Sequence, residues 1–211
     1  MDLFNFKALG LTLALTVSAI SPAHSAVIIS EVNANGSAAT YAADWFELTN
    51  TGSSLLNISG WKMDDNSNSS LVAIALRVIT SIAAGQSVVF LEGNATGSSD
   101  AGLNAAFKSV WFGSHIPANF IIANCGGVGV GLSGAADAVN IFDGTGSLIT
   151  RVDFGTSTTG RTFDNKAGLN NATISVLSSI EINGAFLSES GEETGSPGLV
   201  AAVPEPETYA M

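Results

Sequence analysis

Short apolar segments separated by turn residues recur along most of the chain. Residues 27–33, "VIISEVN", are rich in β-branched side chains and precede an Asn-Gly turn pair. Residues 44–50, "DWFELTN", alternate, so Phe46 and Leu48 face one side of a strand while Glu47 faces the other. Segments of this kind, bounded by Gly, Asn and Ser, predict an all-β domain.

The clearest local prediction is a β-hairpin over residues 137–155. Two apolar segments, "DAVNIFD" and "SLITRVDFG", flank the glycine-containing turn "GTG". Alternation in the second strand sends Val152 and Phe154 to one side and Arg151 to the other.

Residues 93–131 interrupt this regularity. "SSDAGLNAAFKSVWFGSH" suits a short helix around residues 105–111, whereas "NCGGVGVG" has too many glycines for a regular central strand. No internal repeat of fixed period is present. We therefore expect one two-layer β-sandwich with an irregular insertion at about residues 93–131 and disordered ends.

The N-terminal residues have the layout of a secretory signal peptide. Lys7 precedes an apolar run over residues 8–20, which is too short for a comfortable membrane span. Ala23 and Ser25 supply small residues at the minus three and minus one positions of a cleavage site. We predict a signal peptide at residues 1–25 and an exported protein at the cell surface, in the outer membrane or outside the cell.

Charge and cysteine content narrow the choice of partner. The formal net charge is -11, so the surface lacks the basic patch that binding to phosphates requires, and we expect no nucleic-acid partner. Cys125 is the single cysteine, so an internal disulfide cannot form and stability must come from a core.

Several segments together resemble a lamin tail domain, an immunoglobulin-like β-sandwich known from nuclear lamins and from many bacterial surface and secreted proteins. They are "IISEVN", "DWFELTNTGSS", "LLNISGWKMDD", "SIAAGQSVVFLEG" and the hairpin region. The similarity covers about residues 27–155, and the later "GSPG" also fits. It implies a sandwich domain over residues 26–199, and a structural hydrogen bond at Glu47.

The C-terminal "VPEPETYAM" resembles the start of a PEP-CTERM sorting signal, which an exosortase reads in Gram-negative bacteria that make exopolysaccharide. Pro204, Glu205 and Pro206 match its motif within the sorting segment at residues 200–211. The resemblance implies exosortase-type machinery as a partner. It also implies that a membrane helix and a basic cluster follow Met211 in a longer chain; the alternative is a degenerate signal and a released product.

Hydrolytic chemistry finds little support in the residues. A serine or cysteine nucleophile needs a base, and beyond the signal peptide the only histidine is His115, beside Ser114 and downstream of Asp100. No G-x-S-x-G elbow surrounds a serine, and Cys125 has no basic neighbour in sequence. Among the carboxylates, Asp44 and Glu47 fall on opposite faces of one strand, so they do not form a local pair. We predict that the protein is not an enzyme and has no catalytic residue.

Calcium is the one metal for which the sequence offers candidate ligands. Asp64, Asn66 and Asn68 match the opening D-x-N-x-N of a calcium loop, whose ligands are oxygens. The glycine at the sixth position and the glutamate at the twelfth are missing, so a solvated loop is the alternative interpretation. We predict no other cofactor.

Tryptophan offers one candidate sugar contact. Trp111 lies in the irregular segment near other aromatic residues and is a candidate for stacking against a sugar ring, although tryptophans of a sandwich usually belong to its core.

The function predicted from these features is non-catalytic. We expect an exported cell-surface or extracellular-matrix protein with a structural, adhesive or protein-binding role, sorted through its C-terminal signal. A carbohydrate-binding module for exopolysaccharide and an accessory domain of a secreted hydrolase are the alternatives.

Overall fold

The computed structural model describes residues 27–34, 41–127 and 131–199. Within them the elements, in chain order, are β1 (Val27–Asn33), β2 (Trp45–Asn50), β3 (Leu56–Asn57), β4 (Lys62–Asp64), β5 (Ile74–Arg77), β6 (Ser81–Ile82), β7 (Ser87–Gly93), α1 (Asp100–Phe112), β8 (Ile122–Gly126), β9 (Asp137–Phe142), β10 (Leu148–Phe154), β11 (Phe163–Asp164), β12 (Ala172–Ile174), β13 (Phe186–Leu187) and β14 (Thr194–Gly195).

Ten of these strands form one sheet in the order β11-β1-β2-β7-β8-β5-β4-β9-β10-β12. Most neighbours are antiparallel, while β7–β8 and β10–β12 are parallel. The sheet curves so that β1 also contacts β10, which encloses an apolar core between its two halves. Two small sheets, β3–β6 and β13–β14, complete the fold. The prediction of an all-β, immunoglobulin-like sandwich is confirmed.

The main core follows the predicted alternation of the strands. Phe46 and Leu48 of β2 point into it, and the Phe46 ring stacks on Phe90 of β7 with centroids 5.4 Å apart. The opposite face of β2 is buried as well, because α1 and the C-terminal segment (residues 157–199) cover it. A strand enclosed on both faces explains why β2 is buried throughout its length.

A second apolar cluster lies between α1 and the outer face of β2 and β7. We call Tyr41, Trp45, Phe107 and Trp111 the aromatic cluster. Trp45 meets both Phe107 and Trp111 edge to face, at centroid distances of 5.7 and 5.9 Å, which is a favourable arrangement for aromatic pairs. The helix is therefore held to the sheet by ring contacts.

Within the predicted insertion, residues 93–127 are more regular than the sequence predicts. The helix exists but extends over Asp100–Phe112, and the glycine-rich stretch contributes β8, a central strand. Parallel pairing of β7 with β8 requires a crossover connection, and α1 provides it. Gly126 suits this strand because a Cβ there would lie 2.9 Å from Ile74 Cγ2, so glycine allows close approach.

The predicted hairpin is confirmed as β9 and β10, paired antiparallel with a register shift between Leu148 and Thr150. Beyond it, β11 pairs with β1 and β12 pairs with β10, so the C-terminal segment supplies both edges of the main sheet. Within residues 27–34, 41–127 and 131–199, no helix is long and apolar enough to cross a membrane.

Candidate functional site

Three ionisable side chains are buried together where β1 and β2 meet the C-terminal segment. We call Glu31, Glu47 and Lys166 the carboxylate–lysine cluster. Glu31 and Glu47 face each other in the β1–β2 register, which places both side chains on the outer face of the sheet. Both glutamates are 0% exposed and the Lys166 side chain is 3% exposed, so the cluster is closed to solvent.

Glu47 is fully engaged by donors from three parts of the chain. Lys166 Nζ lies 2.8 Å from Glu47 Oε1, which also accepts a hydrogen bond from Ser30 Oγ at 2.7 Å. The backbone N–H of Gly198 donates to Oε2. Lys166 Nζ donates in addition to the carbonyl oxygen of Leu199 at 2.8 Å. A structural role for Glu47, as the family resemblance implies, agrees with these contacts.

Two residues of the C-terminal segment donate hydrogen bonds to the Glu31 carboxyl group. Thr162 Oγ1 and the Ser196 N–H donate to its Oε1, and Ser196 Oγ donates to Oε2 at 3.1 Å. A Cβ at Gly195 would lie 2.6 Å from Glu31 Oε1, so the backbone of β14 passes close above the carboxyl group. The cluster therefore fastens residues 157–199 to the first two strands.

The electrostatics of the cluster differ between its members. Burial raises the pKa of Glu31 to about 7; Lys166 opposes this rise and Glu47 adds to it. Burial alone would lower the pKa of Lys166, but the negative charges of Glu47 and Glu31 raise it above its ordinary value. Lys166 is therefore a cation paired with Glu47, beside a carboxyl group that gains and loses a proton near neutral pH.

From the sequence, Glu47 was expected to make a structural hydrogen bond through the family resemblance, while Glu31 and Lys166 were assigned no role. Lys166 follows Glu47 by 119 positions, in a polar segment without alternation. The one available signal was that a glutamate inside a β-branched strand such as "VIISEVN" requires a buried counter-charge.

The calcium-loop residues occupy different environments. Asp64 is 0% exposed, and its Oδ2 accepts hydrogen bonds from Ser67 Oγ and the Ser69 N–H, both at 2.7 Å. Asn66 and Asn68 are exposed. Among residues that the structure describes, no group of three His, Cys, Asp or Glu side chains is arranged to hold a metal ion. Calcium binding at Asp64, Asn66 and Asn68 stays a prediction.

Trp111 is 1% exposed, in the aromatic cluster, and its Nε1 donates to Tyr41 Oη at 3.3 Å. Phe107 and Phe186 pack against its ring as well as Trp45. Because the Trp111 ring is buried on both faces, it cannot stack against a sugar ring. The prediction of sugar stacking at Trp111 is therefore wrong.

The residues considered for hydrolysis are not brought together. Asp100 is paired with Arg77, whose Nε lies 2.7 Å from Asp100 Oδ2, while His115 is exposed next to Ser114. Cys125 is buried in the main core, and burial raises the pKa of its thiol well above the usual range. A protonated, enclosed thiol is a poor nucleophile.

An acidic depression opens beside the end of β7. A cavity of about 410 Å³ is lined by Asp44, Glu92 and glycines that include Gly93 and Gly127. Glu92 Oε1 accepts a hydrogen bond from the Leu132 N–H, and burial together with Asp44 raises the pKa of Glu92 to about 8. The raised pKa leaves the Glu92 carboxyl group mostly protonated at neutral pH, so the depression carries less negative charge than its two carboxyl groups suggest.

One exposed apolar feature lies in the turn before β5. Leu71 is 93% exposed and Val72 is 57% exposed. The turn lies against the β9–β10 hairpin loop, since a Cβ at Gly146 would be 3.1 Å from Ser70 Oγ. We call Leu71 and Val72 the apolar tip.

The sorting motif Pro204, Glu205 and Pro206 and the signal peptide at residues 1–25 lie outside the described residues. Comparison with protein families finds that the model of the Lamin Tail Domain matches residues 20–156. A search of curated proteins finds no match.

Proposed function

This chain belongs to the lamin tail domain family, and from that premise we propose that it is a non-catalytic, exported protein with a structural or adhesive role at the cell surface or in the extracellular matrix. Its domain acts by binding a protein partner. The family is immunoglobulin-like, and such a fold presents loops and strand edges on a rigid scaffold.

The observation that carries this proposal is that the buried ionisable side chains of the carboxylate–lysine cluster hold the fold together. Glu31, Glu47 and Lys166 are engaged with one another and with the C-terminal segment, at exposures of 0 to 3%. Groups that hold the sandwich closed are unavailable to a substrate, so the outer surface is left to perform the function.

The apolar tip is suited to a protein contact, because Leu71 is the most exposed large apolar side chain among the described residues. Leu71 and Val72 place two apolar side chains in water beside the hairpin loop, where burial against a partner would be favourable. The acidic character of the chain, with a net charge of -11, favours a partner with basic or neutral groups around an apolar centre.

Export and sorting complete the proposal. The signal-peptide layout at residues 1–25 directs the chain out of the cytoplasm, and the PEP motif at Pro204, Glu205 and Pro206 directs it to exosortase-type machinery. The matrix that such cells produce would then be the setting in which the domain holds its place.

Fractionation of the native host tests the proposal directly. The full-length protein should be found on intact cells or in the matrix, accessible to added protease, with a mature N-terminus at Ala26 by mass spectrometry. Leu71→Ser should release it to the medium, whereas Leu55→Ser, which changes another exposed leucine (67% exposed) elsewhere, should not. Recovery in the cytoplasm with Met1 and the leader intact would overturn the proposal of export, and equal retention of both variants would overturn the role of the apolar tip.

A further inference from the structure

We propose that Lys166 and Glu47 condense into an intramolecular amide bond in the folded protein, with Glu31 as the proton carrier. The bond would join β2 to the C-terminal segment covalently. The inference concerns the carboxylate–lysine cluster and is independent of where the protein is located or what it binds.

The reacting groups are held at contact distance in an enclosed site. Lys166 Nζ lies 2.8 Å from Glu47 Oε1, and the carbon that Nζ would attack is one bond beyond that oxygen. Donors from Ser30 and Gly198 fix both carboxylate oxygens, and the Leu199 carbonyl fixes the ammonium group. Reactants positioned in this way reach effective concentrations on the order of 10⁵ M or more, which offsets the unfavourable condensation of the free ions in water.

The condensation balances without an oxidant or another reactant. Lys166 Nζ gives one proton to Glu47 Oε1, with which it is in contact, and the lone pair so released forms a bond to Cδ of Glu47. The Glu31 carboxylate turns toward the new bond and passes a second Nζ proton to the same oxygen, whose bond to Cδ breaks so that it leaves as water. One proton remains on the amide nitrogen, and Glu31 returns to its initial state.

Glu31 is suited to this task by its position and its chemistry. It faces Glu47 across β1 and β2, and its charge acts on both Glu47 and Lys166. Because burial raises its pKa to about 7, it takes up and releases a proton with little cost near neutral pH. The neighbouring negative charges keep Lys166 cationic, so the ion pair is the starting state and the amide accumulates after folding.

The amide bond would provide an internal covalent cross-link, which a chain with one cysteine cannot form as a disulfide. With Cys125 as the single cysteine, no internal disulfide can close a loop. An amide between positions 47 and 166 would close a long loop and limit the unfolded ensemble as a disulfide does.

Mass spectrometry of the folded full-length protein decides the matter. The expected intact mass is lower than the mass of the sequence with the same termini by one water molecule. Trypsin should fail to cut at Lys166, so the peptide "TFDNK" (residues 162–166) should be absent. The segment that starts at Thr162 should stay joined to the peptide that contains Glu47 and ends at Lys62.

The proposal would be overturned if "TFDNK" were recovered at the same yield as the other tryptic peptides. It would also be overturned if the water were lost elsewhere in the chain. Fragmentation of the joined peptides locates the bond, and attachment at Glu31 instead of Glu47 would overturn the assignment as well. These readings use the unaltered protein, so they do not depend on a variant that folds.

Variants sharpen the result. Lys166→Met should restore the full mass, and Lys108→Met, a matched change on α1 outside the cluster, should keep the loss of water. Glu47→Gln should lose ammonia in place of water and reach the same joined product. Glu31→Gln should retain the full mass while its near-ultraviolet circular dichroism stays that of a folded chain. A joined product in Glu31→Gln would overturn the role of Glu31.

Discussion

The aromatic cluster and the carboxylate–lysine cluster lie on the same outer face of β2 and are built on opposite principles. Trp45 and Glu47 are two positions apart, yet Trp45 packs against α1 and Glu47 pairs with Lys166. The aromatic cluster is stabilised by buried apolar area, which is approximately additive. The ionic cluster depends on a complete set of partners, since removing one leaves a buried charge uncompensated.

The two clusters share a dependence on the C-terminal segment. Tyr41 Oη, which accepts hydrogen bonds from Trp45 and Trp111, donates to Glu193 Oε2 at 2.6 Å. Lys166 and Ser196 complete the ionic cluster. Residues 157–199 lie beyond the family match at residues 20–156. The contacts that these residues make with both clusters therefore lie outside the part of the chain that the family model covers.

Removal of that segment should have the largest effect, because it breaks both clusters together. A chain that ends at residue 156 loses β11 and β12. Glu31 then lacks its donors Thr162 and Ser196, and Glu47 lacks Lys166 and Gly198 and keeps Ser30. We expect no cooperative thermal unfolding by circular dichroism. A chain that ends at residue 199 is the control and should unfold cooperatively; the same behaviour from the shorter chain would contradict the dependence.

The aromatic cluster alone is tested by Trp111→Ala. Loss of this buried ring should reduce the free energy of unfolding by about 4 kcal/mol, through lost contacts and the cavity left behind. Trp111→Phe keeps most of the ring but loses the donor to Tyr41, and should cost about 1 kcal/mol. Urea denaturation measures both, and equal losses would show that the hydrogen bond, not ring packing, dominates.

The ionic cluster is tested by Lys166→Met, which leaves Glu47 buried without its counter-charge. Measured against unaltered protein that keeps the full mass of its sequence, and so has no amide between Glu47 and Lys166, the expected loss in urea denaturation is about 3 kcal/mol. Adding Glu47→Leu to Lys166→Met should recover part of that loss, because the remaining charge is removed. A double variant less stable than Lys166→Met would contradict the comparison, since it would make the two clusters respond alike.

The pH dependence of stability should distinguish the clusters further. Glu31 has a folded pKa of about 7, above the value of about 4.3 expected for an unfolded glutamate. It therefore binds its proton more tightly when folded, so its contribution is fully present below the unfolded pKa and is lost as pH rises towards 7.

Relative to Glu31→Gln, unaltered protein that keeps the full mass of its sequence, and so has no amide between Glu47 and Lys166, should therefore lose stability on the order of 2 kcal/mol between pH 4 and pH 7. Urea titrations at several pH values measure the difference. Glu92→Gln is the matched control. It removes a carboxyl group whose pKa is also raised but which lies outside the cluster, so it measures the pH dependence that Glu92 contributes separately. An unchanged difference between the protein and Glu31→Gln over this interval would contradict the prediction.

The smallest effect is expected at the apolar tip. Leu71 is 93% exposed and belongs to neither cluster, so Leu71→Ser should change the free energy of unfolding by no more than about 0.5 kcal/mol. Chemical denaturation checks this value. A larger loss would show that the tip supports the fold, and the retention test of Leu71→Ser would no longer report on binding.

Much of the fold was predictable because it is written in local patterns. The alternation in "DWFELTN" placed Phe46 and Leu48 in the main core, and the glycine turn between β9 and β10 set the hairpin. The irregular reading of residues 93–131 was wrong in detail, since glycine in β8 serves close packing against Ile74 and not a break in the sheet.

The candidate site was predictable only in part. The family resemblance implied a structural hydrogen bond at Glu47, but the position of Glu47 opposite Glu31 involves a register shift between Ile29 and Glu31 that no local pattern reveals. Trp111 was named as a sugar contact because the sequence does not show that three other aromatic rings would enclose it.

By itself the sequence determined the all-β class, the alternating faces of its strands, the family to which it belongs and the lack of any internal disulfide. Tertiary structure alone decided what covers the outer face of β2: a helix over Trp45, and Lys166 over Glu47 from 119 positions away. The physical reason is that periodicity records which side chains share a face, whereas their burial and ionisation depend on whichever distant segment packs upon that face.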